Sequence, residues 1–180
     1  MPLLSGGRKL DFRVFIGVLS LDPAVLVWKF GFGRTARSKF SAGLFDRESH
    51  LTNTARGGRG VLGPQEVGEV LKRYGLSMGE FAQKMDKIVH GLTGVLEERT
   101  RQEKEKFWRK GGDRGEKSQN FSEEKEEELL HLSDCNGFEV LAADVIMNPE
   151  GELYLLELNA SPDFVAKSRK KFEIYRPIFE

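Results

Sequence analysis

The stretch Gly137–Phe164, GFEVLAADVIMNPEGELYLLELNASPDF, decides how this chain is read. It has the form of two strands around an Asn-Pro-Glu-Gly turn, and most of its residues are apolar. Asp144, Glu157 and Asn159 interrupt that apolar run. A carboxylate in an apolar strand is costly to desolvate unless something pairs with it. In YLLELN, residues 154–159, simple alternation puts Leu155, Glu157 and Asn159 on one side and Tyr154, Leu156 and Leu158 on the other. An even-length loop centred on Glu150-Gly151 sets Asp144 directly across from Glu157, with Asn159 one step along, so that two carboxylates and an amide converge. A three-residue loop, a type I turn with Gly151 left-handed, also fits Asn-Pro-Glu-Gly and throws Asp144 to the other face. Two adjacent carboxylates repel unless a cation or a shared proton intervenes. Hard oxygen donors of this kind suit Mg²⁺; an ordinary hairpin with one polar face is the alternative.

Working outward, Lys9 to Phe15 alternates polar and apolar, the period of a strand with one face on a core. VLSLDPAVLVWKFGFGR, residues 18–34, then reads as strand, Asp-Pro turn and strand. Residues 36–63 are rich in Gly, Ser, Arg and Asn and read mostly as loop. A helix is expected over Gln65–Tyr74, between Pro64 and Gly75. A second starts at Ser77, which forms a capping box with Glu80. Phe81, Met85, Ile88, Val89, Leu92 and Leu96 give that helix one apolar stripe, read as core. Residues 97–128 lose their apolar content and carry dense charge of both signs. This predicts a solvated helix extension and a disordered insertion, or a docking surface anchored by Phe107 and Trp108.

The bulk figures set bounds. At 180 residues, 39% hydrophobic and 31% charged, the chain suits one globular domain with a real core. Lys plus Arg and Asp plus Glu each number 28, so net charge favours neither nucleic acid nor a membrane surface. A single cysteine, Cys135, excludes an intrachain disulfide and suits a reducing, cytosolic compartment. No apolar run is long enough for a signal peptide or a bilayer span.

The opening stretch resembles the C-terminal metal-binding segment of the tubulin–tyrosine ligase-like enzymes of the ATP-grasp superfamily. GRKLDFRVFIGV, residues 7–18, is similar to that family's basic-acidic-basic strand. SHLTNTA, residues 49–55, is similar to its His-Leu-Thr-Asn segment, and KFGFGRTA, residues 29–36, to a strand carrying an arginine. The HLTNT and NASPDF versions look closer to the tyrosine-adding branch than to polyglutamylases. The resemblance implies an α+β fold: the C-terminal ATP-grasp lobe, a largely antiparallel sheet flanked by helices. It implies a ligase in which ATP activates a carboxylate as an acylphosphate and an amine attacks it. The acceptor would be tubulin or another protein with an acidic C-terminal tail, and the free amino acid tyrosine, glutamate or glycine. A cytoplasmic, microtubule- or cilium-associated setting follows.

Carried over by position, Asp144, Glu157 and Asn159 would hold Mg²⁺ bridging the ATP phosphates. Lys9 and Asp11 would face the nucleotide and the reacting carboxylate. Arg13 and Arg34 would grip carboxylates of the tail or the amino acid. Thr52 and Asn53 would line the nucleotide or amino-acid pocket. Without the resemblance, Lys9, Asp11 and Arg13 read as cross-strand ion pairs on a wet face, worth little. His50, His90 and His131 have no metal-ligand spacing.

The family's first lobe, with its glycine-rich loop and phosphate-binding lysines, has no counterpart here. Gly57, Gly58 and Gly60 come too late in the order. The chain is therefore expected to be a fragment, inactive alone, whose N-terminal strand has lost its sheet neighbours and forms an open edge. The alternative is a non-catalytic module that binds acidic tails through Arg13, Arg34 and the charged insertion. A third reading is an ATP-grasp ligase with a small-molecule substrate.

Overall fold

The computed structural model describes residues 1–43, 46–53, 58, 60–112, 138–160 and 162, without the side chains of 107–112. Phe107 and Trp108 as anchors, Cys135, His131 and the insertion beyond Gly112 therefore lie outside it. Among the described residues, six strands and three helices follow in order: β1 Leu4–Ser5, β2 Arg8–Leu21, β3 Ala24–Thr35, α1 Arg47–His50, β4 Gly60–Leu62, α2 Pro64–Lys72, α3 Met78–Gly112, β5 Glu139–Met147 and β6 Leu153–Ala160. The sheet runs β4-β3-β2-β5-β6, with β1 paired to β2, and every pairing is antiparallel. This is the α+β architecture the resemblance implies.

The alternation in Lys9–Phe15 extends into a 14-residue strand. Leu10, Phe12, Val14 and Ile16 are fully buried beneath α2 and α3, against Val67, Leu71, Phe81, Met85 and Val89. The α3 stripe is core, as its spacing predicts, and Ser77 and Glu80 make the reciprocal capping bonds at 3.1 and 2.8 Å. The helix runs on through Gly112, beyond the part that packs on the sheet. Strand β2 is not an edge. It lies between β3 and β5 and pairs with both along much of its length, correcting the expectation of an open edge. The missing neighbour arrives from sequence far downstream, which local patterning does not reveal.

The hairpin at the opening stretch also corrects the even-loop reading. Asn148 and Glu152 flank a three-residue loop, with Gly151 N donating to Asn148 O at 3.0 Å and Gly151 at φ +80°. Near the loop the register is Met147 with Leu153 and Val145 with Leu155. A β-bulge then intervenes, and Asp144 pairs with Glu157. Leu156 is the extra residue, so Leu155 packs toward the core while Glu157 takes the other face. The odd loop and the bulge offset one another.

Gly151 is held left-handed beside Leu76, where a Cβ would sit 2.7 Å from Leu76 Cδ2. Gly151→Ala is expected to cost about 1–2 kcal/mol, because an L side chain in this region is strained. Urea unfolding measures it, and an unchanged midpoint would show that the loop relaxes freely.

Candidate active site

The sheet face away from α2 and α3 carries a polar row across four strands. Asp11 and Arg13 come from β2, Arg34 from β3, Asp144 from β5, and Glu157 and Asn159 from β6. A second bulge makes this possible. In β3, Val14 pairs with Phe30 but Arg13 pairs with Phe32, leaving Gly31 as the extra residue. Phe30 therefore joins the helix-side core, while Phe32 and Phe15 form a small cluster with Ala142 on the site face. A Cβ on Gly31 would lie 2.7 Å from the Phe15 ring and 2.8 Å from Arg13 O, so the bulge requires glycine.

Arg13 donates both Nε and Nη2 to the Asp144 carboxylate, each at 2.7 Å. Arg34 bridges two acids: its Nε donates to Asp11 Oδ1 at 2.8 Å, and its Nη2 lies 3.0 Å from Asp144 Oδ2. Thr52 Oγ1 donates to Asp11 Oδ2. Asp11, Arg34, Thr52 and Asp144 are each at most 5% exposed, whereas the Arg13 side chain is 20% exposed. Asp11 and Arg13, expected with Lys9 as wet-face ion pairs, thus belong to a largely buried network, whereas Lys9 lies outside it. Burial by itself pushes the Asp144 carboxyl up. The Arg13 hydrogen bonds and the charges of Arg34 and Arg13 outweigh it and hold the pKa below the usual carboxylate range. Arg34 is shifted upward: burial lowers it, but its bonds to Asp11 and the charges of Asp11 and Asp144 prevail.

Glu157 is exposed, and its Oε1 accepts from Asn159 Nδ2 at 3.2 Å. Lys9 lies along β2 from Asp11 and lines a cavity of about 430 Å³ with Phe40, His50, Ile146 and Tyr154. The Phe40 and His50 rings meet edge-on at 5.3 Å, and His50 Nε2 lies 3.2 Å from Ser41 O. Asn53 is exposed next to Thr52. Of the expected residues, Asp11, Arg13, Arg34, Thr52 and Asp144 form one network. Glu157 and Asn159 adjoin it on β6, and Lys9 belongs to the neighbouring cavity.

Sequence reasoning missed the arginine–aspartate pairing. Part of it was legible: counting from a two-residue turn at Asp22-Pro23 sets Asp11 across from Arg34, and this register is observed because one-residue bulges at Leu19 in β2 and Gly31 in β3 offset one another. It also missed Phe40 and Tyr154 as cavity walls, for which no local signal exists. Among the described residues, no three His, Cys, Asp or Glu side chains form a ready metal cluster. The oxygens of Asp144, Glu157 and Asn159 are the hard donors Mg²⁺ accepts, and two carboxylates with one amide suit an ion that keeps some waters. The donor set fits; the guanidiniums now on Asp144 are the competing partners.

An antiparallel sheet backed by helices is the architecture that the ligase resemblance implies, and its face away from α2 and α3 carries the acids and arginines. The chain belongs to the tubulin-tyrosine ligase family, which matches residues 1–59 and 79–180. It is similar to the "Probable tubulin polyglutamylase ttll-9" of Caenorhabditis elegans, 27% identical over 179 residues, covering 96% of this chain and 37% of the relative. The "Probable tubulin polyglutamylase TTLL9" of Mus musculus is 27% identical over 187 residues, 99% of this chain and 35% of the relative. The "Probable alpha-tubulin polyglutamylase Ttll1" of Tetrahymena thermophila is 23% identical over 183 residues, 93% and 37%. The chain thus spans little more than a third of the curated relatives it matches. These relatives are named for polyglutamylation, so they lend no support to the lean toward the tyrosine-adding branch.

Proposed function

We propose that this chain forms the cation- and anion-handling part of an ATP-dependent ligase that joins an amino acid to an acidic protein tail, with tubulin the acceptor. The polar row across four strands carries the reading: paired guanidiniums and carboxylates on one face, beside a cavity with a lysine at its wall. Asp144, Glu157 and Asn159 would hold Mg²⁺, which supplies charge neutralisation for phosphoryl transfer when bound. Arg34, fixed between Asp11 and Asp144, keeps the acids in place and the site electrostatically balanced. Lys9 puts a positive charge at the mouth of the cavity, where a nucleotide phosphate or the reacting carboxylate would lie. Phe40 and Tyr154 give that cavity flat apolar walls. Burial of the network lowers the effective dielectric and strengthens the pairing of its guanidiniums with Asp11 and Asp144. Names of the relatives favour glutamate as the added amino acid.

Glu157→Gln in the full-length protein is expected to lower ligation roughly 100-fold or more, since it removes a charged metal donor. Because Glu157 is exposed, folding stability should move by less than about 0.5 kcal/mol. Labelled glutamate, glycine and tyrosine offered in turn with a tubulin tail peptide provide the assay. Wild-type ligation rates in Glu157→Gln would remove the metal role. The other reading, a module that grips acidic tails with Arg13 and Arg34, meets an obstacle: Asp144 and Asp11 already occupy both guanidiniums.

A further inference from the structure

We propose that Arg13 is a displaceable counter-ion, which yields Asp144 to a divalent cation and thereby becomes an anion seat at the same site. The inference rests on the metal reading given above and concerns what the chain's own residues do toward the ion. Both Asp144 oxygens face guanidiniums, and Oδ2 meets two of their nitrogens, so a divalent ion drawn to that carboxylate competes with them for its lone pairs and meets their positive charge. The two arginines are not equally held. Arg34 has a side chain only 7% exposed and is tied to Asp11, which Thr52 holds from the other side. Among the described residues Arg13 hydrogen-bonds to Asp144 alone, and its side chain is 20% exposed, at the rim. Arg13 is therefore the group that can leave.

Its departure has a consequence beyond vacating the carboxylate. The guanidinium released from Asp144, a planar bidentate donor, stays beside the site. A phosphate-like or carboxylate oxygen can then take the place of Asp144. Cation and anion binding become positively coupled, and the coupling must be reciprocal. Asp144 changes partner without any covalent step. Arg13 is in this sense a positioning residue whose resting role is to hold the acid.

The test is Mn²⁺ binding to the 180-residue chain, followed by electron paramagnetic resonance, with sulfate as the anion probe. Arg13→Gln should bind Mn²⁺ roughly tenfold more tightly than wild type without sulfate, because a neighbouring cation and a competitor for Asp144 are both gone. Sulfate should tighten Mn²⁺ binding in wild type and leave Arg13→Gln unchanged. Equal or weaker Mn²⁺ binding by a folded Arg13→Gln would overturn the proposal, since Arg13 would then only orient the acid. If that variant does not fold, nitrogen-15 spectra of wild type decide. The Arg13 Nε–Hε signal should shift on adding Mg²⁺ while that of Arg34 stays, and an unmoved Arg13 signal counts against displacement. Glu157→Gln separates the two readings. Mn²⁺ binding that weakens in Glu157→Gln but ignores Arg13→Gln keeps the metal site and discards the counter-ion role; binding absent from all three proteins discards both.

Discussion

Arg34→Met is expected to destabilise the fold by about 3–5 kcal/mol at neutral pH, because it strands buried carboxylates without their shared cation. Arg34 spans Asp11 and Asp144 at 2.8 and 3.0 Å, and both acids are 4% exposed. Methionine keeps most of the volume, so the loss reports charge rather than a cavity. A pH series sharpens the test. The depressed Asp144 pKa means its contribution is present in wild type above the unfolded value of about 3.9 and is lost as pH falls through the lower folded value. In the variant one of its two cations is gone and its pKa rises, so acid relieves part of the penalty. The gap between wild type and Arg34→Met should therefore be widest near pH 7 and narrow toward about pH 3. Adding Asp11→Asn should recover part of the stability. A gap under about 1 kcal/mol that is flat with pH would mean water already compensates the acids.

Phe12→Ala should cost about 3–5 kcal/mol, by lost transfer energy and by the cavity left behind. Phe12 is fully buried and meets Phe81 edge-on at 5.2 Å and Phe30 at 6.2 Å, while Phe30 and Phe81 pack at 5.3 Å. The three rings join β2, β3 and α3, and so fix the helical layer to the sheet. Urea unfolding gives the value, and a loss below about 1.5 kcal/mol would show that the neighbours collapse into the space. Asp11 and Arg13 flank Phe12 on the opposite face of β2. A softened core should therefore loosen the polar row as well, seen as faster amide exchange at Asp11 and Arg13.

The two effects describe one design. One face of β2 inserts into an aromatic core and the other displays acids and bases. The rigidity of the first holds the spacing of the second. What the sequence recorded well was local. The alternation of Lys9–Phe15, the Asp-Pro turn, the Pro64 start of α2 and the Ser77–Glu80 cap all rest on contacts within a few residues, and each appears in the fold. The small strand β4, set within a Gly- and Arg-rich run of sequence, did not announce itself, because three residues carry too little pattern.

By itself the sequence determined which side chains are available to the site, the periods of its strands and helices, and the family to which its motifs point. Tertiary structure decided which faces those side chains take. A strand's alternation is a local property, but a one-residue bulge reverses it, and the bulges at Leu156 and Gly31 are set by pairing and packing across the sheet. It also decided that Arg13 meets Asp144, a partner 131 residues away, because a strand from beyond α3 lies beside β2. Nothing in a local period encodes strand order, and strand order determines which charges become neighbours.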